Sequence, residues 1–162
     1  MQLYQNEESR APINLEYASF WKRMAAFFTD TLIISFFMSL FVLPVIGIDT
    51  IPELTDIEGR LKLQGLVFLV AWLYFASFES SSRQATLGKQ VFGIFVTDTE
   101  GYRLSFLRAS GRYFGKVVSN LTLLIGYLMA AFTRRRQALH DKIAGTLVLQ
   151  HPGYTPAKPT EE

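Results

Sequence analysis

Three long apolar runs separated by polar segments set the pattern of this chain: Met24 to Ile48, Leu63 to Phe78 and Val117 to Thr133. Asp30 is the only charge in the first run, Glu79 abuts the second, and the third is uncharged between Lys116 and Arg134. A membrane-spanning helix needs roughly 20 mostly apolar residues, each rising about 1.5 Å. The first run meets that length. The other two reach it if Lys62, Lys116 and Arg134 carry their charges to the interface on long aliphatic stems. The pattern therefore predicts an all-α integral membrane protein, a helical bundle of three or four membrane segments whose first partner is the lipid bilayer. A soluble all-α core is the competing reading. It must accommodate an apolar run longer than most core helices and hydrophobic on every side. The first run is too long for a signal-peptide core and no small-residue cleavage site follows it, so it is expected to be a retained span.

The distribution of basic residues discriminates between topologies. If every run crosses once, nine basic residues share the side of the amino-terminal segment and seven lie opposite, a poor positive-inside bias. If the third region enters and returns, fourteen of the sixteen fall on one side. Only Arg60 and Lys62 then lie opposite, together with Asp49, Glu53, Asp56 and Glu58. That asymmetry predicts both termini in the cytoplasm. The local sequence permits the return: a helix from Phe106 to Ser119 capped by Ser105, a bend at Asn120 and Thr122, then a second helix from Leu123 to Phe132. Gly111, Gly115 and Ser119 form a small-residue stripe suited to close packing. The alternative is one amphipathic surface helix followed by one short span.

The polar pieces complete the expected organisation. Residues 1–16 read as a loose arm, 17–150 as the membrane domain with segments near 24–48, 63–78 and 105–133, and 151–162 as a disordered tail. Trp21 sits where an interfacial anchor belongs. The acidic Asp49–Arg60 segment reads as a solvated connector. Gln90 to Val96, the turn Asp98-Thr99-Glu100-Gly101 and Tyr102 to Leu104 predict a small cytoplasmic β-hairpin. Thr146 to Leu149 is a further strand candidate, able to join the hairpin only if both lie on one side of the membrane.

Few residues carry chemistry. Asp30 lies about two turns inside the first span, at a depth of roughly 9 Å. An acid there costs a few kcal/mol to insert and requires a partner. Arg23, about 20° off the same helical face, is separated from it by roughly 10 Å along the axis, so each is expected to reach another helix. Arg108, Arg112 and Lys116, one helical turn apart, are the predicted cations for Asp30, and Asp141 the predicted partner of Arg23. A purely structural ion pair and an ion- or substrate-handling role weigh equally here. Glu79, followed by three serines, is a second candidate acid or a solvated interfacial one. Arg134, Arg135 and Arg136 form a positive-inside anchor first and a site for anionic lipid headgroups second. His140 is a surface or packing residue that could titrate near neutral pH.

Other chemistries are excluded by their residues. Cysteine is absent, which removes disulfides and thiolate sites. Around Gly88-Lys89 a phosphate loop fails because Arg83 and Gln90 occupy its first glycine and its Ser/Thr positions. His140 and His151 lack metal-ligand spacing, and no serine sits in a nucleophile-elbow pattern. No nucleic-acid motif is present, and the basic residues are accounted for by topology. No enzymatic activity, cofactor or metal site is expected.

Three blocks nevertheless resemble a known family. Trp21-x-Arg23-x-x-Ala26-x-x-x-Asp30 opens the first span. Gln84-Ala85-Thr86-Leu87-Gly88-Lys89 precedes Gly93-Ile94-Phe95-Val96. Leu139-His140-Asp141-Lys142-Ile143-Ala144-Gly145-Thr146-Leu147-Val148 closes the set. In this order they are similar to the RDD family of membrane domains, over roughly Tyr17 to Gln150. The family is named for one arginine and two aspartates, which fall here on Arg23, Asp30 and Asp141. The resemblance implies a small multi-pass protein of the bacterial inner membrane, with proposed roles in transport, including sodium/proton exchange, or as a component of larger assemblies. The leading expectation is participation in ion or small-solute transport, with Arg23, Asp30, Glu79, Arg112 and Asp141 as transport or ion-pair residues. The alternatives are a non-catalytic scaffold or accessory subunit and, last, an anionic-lipid-binding module. Three or four short segments are few for a solitary pathway, so a homo-oligomer or a membrane-protein partner is expected.

Overall fold

The computed structural model describes residues 16–45, 55–121 and 125–150. The expectations for the arm before residue 16, for the loop around Asp49 and Pro52, for the bend at Thr122 and for the tail lie outside these residues. Two helices are long and apolar enough to cross a membrane: α1, Phe20–Val45, and α2, Ile57–Glu79. The hydroxyl of Ser19 caps α1 by accepting the Lys22 amide, and the carboxylate of Asp56 caps α2 by accepting that of Gly59. Near its far end α1 widens into a π-type turn at Met38–Val42, where the Leu43 amide reaches back to the Met38 carbonyl. Pro44 follows directly and has no amide to continue the regular ladder.

After α2 come the one-turn helix α3, Leu87–Val91, and the strand β2, Ile94–Asp98. The helices α4, Phe106–Leu121, and α5, Ile125–Phe132, are followed by the short helix α6, Leu139–Ala144, and the strand β3, Thr146–Gln150. β3 is the centre of an antiparallel sheet in the order β1-β3-β2, with β1 formed by Glu16–Tyr17. Its register pairs Ile94 with Gln150, Asp98 with Thr146 and Tyr17 with Leu149. Ile94, Val96 and Val148 pack one sheet face against Ala18, Ala26, Ala76, Leu104 and Ala109 at the feet of the helices. Phe95, Leu147 and Leu149 pack the other face against Ala85 and Tyr17.

The structure corrects two expectations and meets another. First, the predicted hairpin gives way to a three-stranded sheet. Gln90 and Val91 finish α3, and residues 102–104 make no ladder with β2; the Asp98 amide donates to the Tyr102 carbonyl at 3.0 Å, and the Tyr102 amide donates to the Asp98 carboxylate at 2.8 Å. β3 takes that place because four of its five residues, Thr146 to Leu149, are buried and alternate between both faces, which a three-residue return cannot match. Second, the sheet begins at Glu16, one residue inside the predicted arm. The third region meets its expectation: the apolar run Val117 to Thr133 is divided between two helices, α4 ending at Leu121 and α5 beginning at Ile125, and α5 lies back against α4. A Cβ on Gly126 would come within 3.0 Å of Ser119 Cα, which is the close approach expected of the small-residue stripe. Gly115 serves the stripe in the same way against His140 at 3.1 Å, whereas Gly111 faces open space.

Two glycines give a direct test of this packing. A Cβ at Gly88 would fall on the Ala26 carbonyl oxygen and 2.8 Å from the Asp30 carboxyl, whereas one at Gly65 meets nothing within 4 Å. Gly88→Ala should cost about 1–3 kcal/mol or more through overpacking against rigid backbone. Gly65→Ala should be neutral or slightly stabilising. Thermal melts in detergent compare the two.

Candidate functional site

The charged residues of α1, α2, α3, α4 and α6 meet in one cluster at the foot of the two long helices. Asp141 enters at the first turn of α6, where one carboxylate oxygen also accepts the Ala138 amide at 3.1 Å. That oxygen takes Nη1 of Arg23 at 2.6 Å, while the other takes Nε and Nη2 of Arg112 at 2.9 and 2.7 Å. Arg112 turns its remaining Nη1 to both oxygens of Glu79, each at 2.7 Å. Lys89 closes the chain on Glu79 at 2.5 Å. Arg112 thus bridges two buried acids as a planar fork, a geometry that lysine cannot reproduce. Arg23 further donates to the carbonyls of Ala18 and Val148, which ties α1 to the sheet.

Asp30 is buried beside this cluster and makes no ion pair among the described residues. Its carboxylate accepts the Tyr74 hydroxyl at 2.7 Å, the Thr86 hydroxyl at 2.6 Å and the Gly88 amide at 2.7 Å. Thr86 meanwhile caps α3. The Gln84-to-Lys89 segment therefore has a physical role at nearly every position. Gln84, held at φ 52°, clamps β2 through the amide and carbonyl of Val96. Thr86 and Gly88 grip Asp30, and Lys89 neutralises Glu79.

The pairing of Arg23 with Asp141 follows the sequence expectation. The cations predicted for Asp30 do not reach it. α4 stands against α2 and α6, so Arg112 meets Glu79 and Asp141, while Arg108 makes an exposed pair with Asp98 at 3.2 Å. The Lys116 ammonium lies over the Phe75 ring, 3.6 Å from its centroid. Glu79 is a buried junction of the network instead of a solvated interfacial acid. Arg134, Arg135 and Arg136 are exposed at the turn after α5, with Arg136 donating to the Tyr17 carbonyl. Sequence reasoning missed Lys89, Tyr74 and Thr86 as partners. The signal for Thr86 and Lys89 lay in the Gln84-to-Lys89 block, which periodicity does not explain; Tyr74, inside the second apolar run, carried none.

Electrostatics follow from burial. Burial alone would raise the Asp141 carboxyl; the Arg112 and Arg23 guanidiniums reverse this and hold it well below the usual carboxylate range. Burial pushes the His140 imidazole down to about 3, with nearby Asp141 opposing the shift and Arg112 and Lys116 reinforcing it. Its ring lies 3.3 Å from the Ser119 hydroxyl and packs on Tyr127. At neutral pH His140 is therefore an uncharged packing residue. The cluster borders a cavity of about 300 Å³ between α1, α4 and α5, whose polar lining is Arg23, Asp30, Lys89, Arg112, Lys116, Tyr127 and His140 among apolar residues.

A family model described as the RDD family matches residues 17–145. Two relatives come from Bacillus subtilis (strain 168). The uncharacterized protein YxaI is 33% identical over 146 residues, covering 82% of this chain and 96% of the relative. The uncharacterized membrane protein YteJ is 32% identical over 144 residues, covering 85% and 84%. No solved structure matches the chain.

Two measurements test the site. Arg112→Met removes four charge-assisted hydrogen bonds and leaves Glu79 with Lys89 alone and Asp141 with Arg23 alone, so it should cost about 3–5 kcal/mol. Arg108→Met, one turn away in an exposed pair, should cost less than about 1 kcal/mol. In the unfolded chain His140 takes up a proton near pH 6.5 that the folded chain refuses until about 3. Stability should therefore fall on acidification below pH 6.5, by up to about 1.4 kcal/mol per pH unit. His140→Gln should flatten that slope between pH 6.5 and 5 in melts across pH.

Proposed function

The chain belongs to the RDD family, and we propose that it serves as a non-catalytic membrane scaffold or accessory subunit whose spans pack against another membrane protein. The observation that carries this reading is the state of the two long helices beyond the cluster. Among the described residues of α1 after Asp30 only Met38 is buried, and none of α2 is buried before Phe75. Leu32, Phe36, Ile57 and Leu61 point outward at 63–70% exposure. In lipid, helices associate by close packing of complementary surfaces. α1 and α2 hardly touch along these lengths, so their surfaces are free for other helices while the ion network fixes their base.

In this reading α4 and α5 form a returning membrane segment. α4 turns Arg112, Gly115 and Ser119 inward and Leu107, Phe114 and Val118 outward, the reverse of a helix facing water. Both termini lie in the cytoplasm of a bacterium and the chain is a multi-pass protein of the inner membrane, in keeping with fourteen of sixteen basic residues on one side. A second reading has its own support: Asp30 is a buried acid of α1 that borders the cavity. There the chain helps to move an ion or small solute, with the pathway completed by further copies. Against it, Asp30 already accepts three fixed donors.

Purification in mild detergent separates the two. The scaffold reading expects stable recovery with one different membrane protein. It also expects that complex to be lost in Leu32→Ala/Phe36→Ala, whose melting temperature stays near that of the parent. A homo-oligomer that supports proton or sodium flux in proteoliposomes, with flux abolished by Asp30→Asn, would overturn it in favour of transport.

A further inference from the structure

The cavity between α1, α4 and α5 has an unbalanced charge. Four cations line it, and three already have acids: Arg23 on Asp141, Lys89 on Glu79, and Arg112 on both. Lys116 has none within ion-pair distance among the described residues; its ammonium rests on the Phe75 ring. The acids at hand are Asp30, Glu79 and Asp141. Glu79 and Asp141 are engaged by the other cations, and the Asp30 oxygens are taken by Tyr74, Thr86 and Gly88. With all seven groups ionised, the surroundings of the cavity therefore hold one positive charge more than negative. Retaining an uncompensated charge in a poorly hydrated site is costly, and a bound anion removes the cost.

The remaining walls specify what the anion is attached to. Phe27, Phe28 and Leu128 line the cavity while remaining 46%, 61% and 47% exposed, so its apolar side is continuous with the surface that faces lipid. We propose that this cavity binds an anionic amphiphile drawn from the bilayer, its charged headgroup on Lys116 and its chain leaving between α1 and α5. A volume of about 300 Å³ is at the small end of ligand pockets. It holds a headgroup anion and the start of a chain, and the rest of the chain lies in the bilayer. The site is separate from the exposed Arg134–Arg136 turn and does not depend on the scaffold reading. Failure of a partner to co-purify leaves it untouched, and failure of the amphiphile to bind leaves the scaffold reading untouched.

The test is a melting-temperature titration of delipidated protein in a neutral detergent. The additions are micelles doped with phosphatidylglycerol, with phosphatidylcholine, or inorganic phosphate alone. Phosphatidylglycerol should raise the melting temperature saturably, and the other two should not. Lys116→Met keeps an apolar-stemmed side chain over Phe75 and should weaken the apparent affinity at least tenfold. Leu128→Trp, which narrows the exit of the chain without touching a charge, should weaken it as well and stands as the second variant if Lys116→Met does not fold. An equal shift with phosphatidylcholine, or a shift with phosphate alone, overturns the proposal. So does a phosphatidylglycerol response that survives both variants and disappears in Arg134→Gln/Arg135→Gln, which would place the anion at the surface turn.

Discussion

Burying a charge in an apolar setting requires an opposite charge or several hydrogen bonds, and the rest of this structure is arranged around meeting that requirement. Arg112 does most of it, because a guanidinium offers enough donors in fixed geometry to serve Glu79 and Asp141 together. Those two acids lie on α2 and α6, so a single side chain of α4 joins three helices. Arg23 and Lys89 bring in α1 and α3. Replacing such a network by apolar residues need not destabilise a protein, but removing one member strands the others. The network therefore specifies which helices meet, more than it adds to stability.

Asp30 meets the same requirement by a different route. It recruits two hydroxyls and a backbone amide, and this is possible because Gly88 lets α3 lie directly on α1. The outcome is a rigid base, with the sheet on one side and the feet of the helices on the other. Above it stand two helices that make few contacts with one another. A stiff polar base under splayed apolar spans suits a protein whose outer halves complete their packing against other helices.

Much of this was legible in the sequence. The apolar runs gave both long helices, since length and hydropathy are sufficient there. The need of Arg23 and Asp30 for partners followed from the cost of charge at depth, and Asp141 was named for Arg23 correctly. Periodicity could not assign Arg112 to Glu79 and Asp141, because that depends on which face of α4 meets α2. Lys89 and Thr86 were hidden in a helix of a single turn, too short for any pattern. β3 displaced the expected hairpin partner because strand pairing is decided by burial on both sheet faces, which is a tertiary property. The outward apolar face of α4 is consistent with the return that charge asymmetry had favoured.

The central claim is that α6 and the foot of α1 lie on one side of the membrane, so that Arg23 and Asp141 can meet. The absence of cysteine allows a direct measurement: single cysteines at Ile57 and at Lys142, both exposed, labelled in intact cells with a membrane-impermeant maleimide. The account predicts labelling at Ile57 in intact cells and at Lys142 only after permeabilisation. Labelling of both positions in intact cells would put Asp141 across the membrane from Arg23 and contradict it.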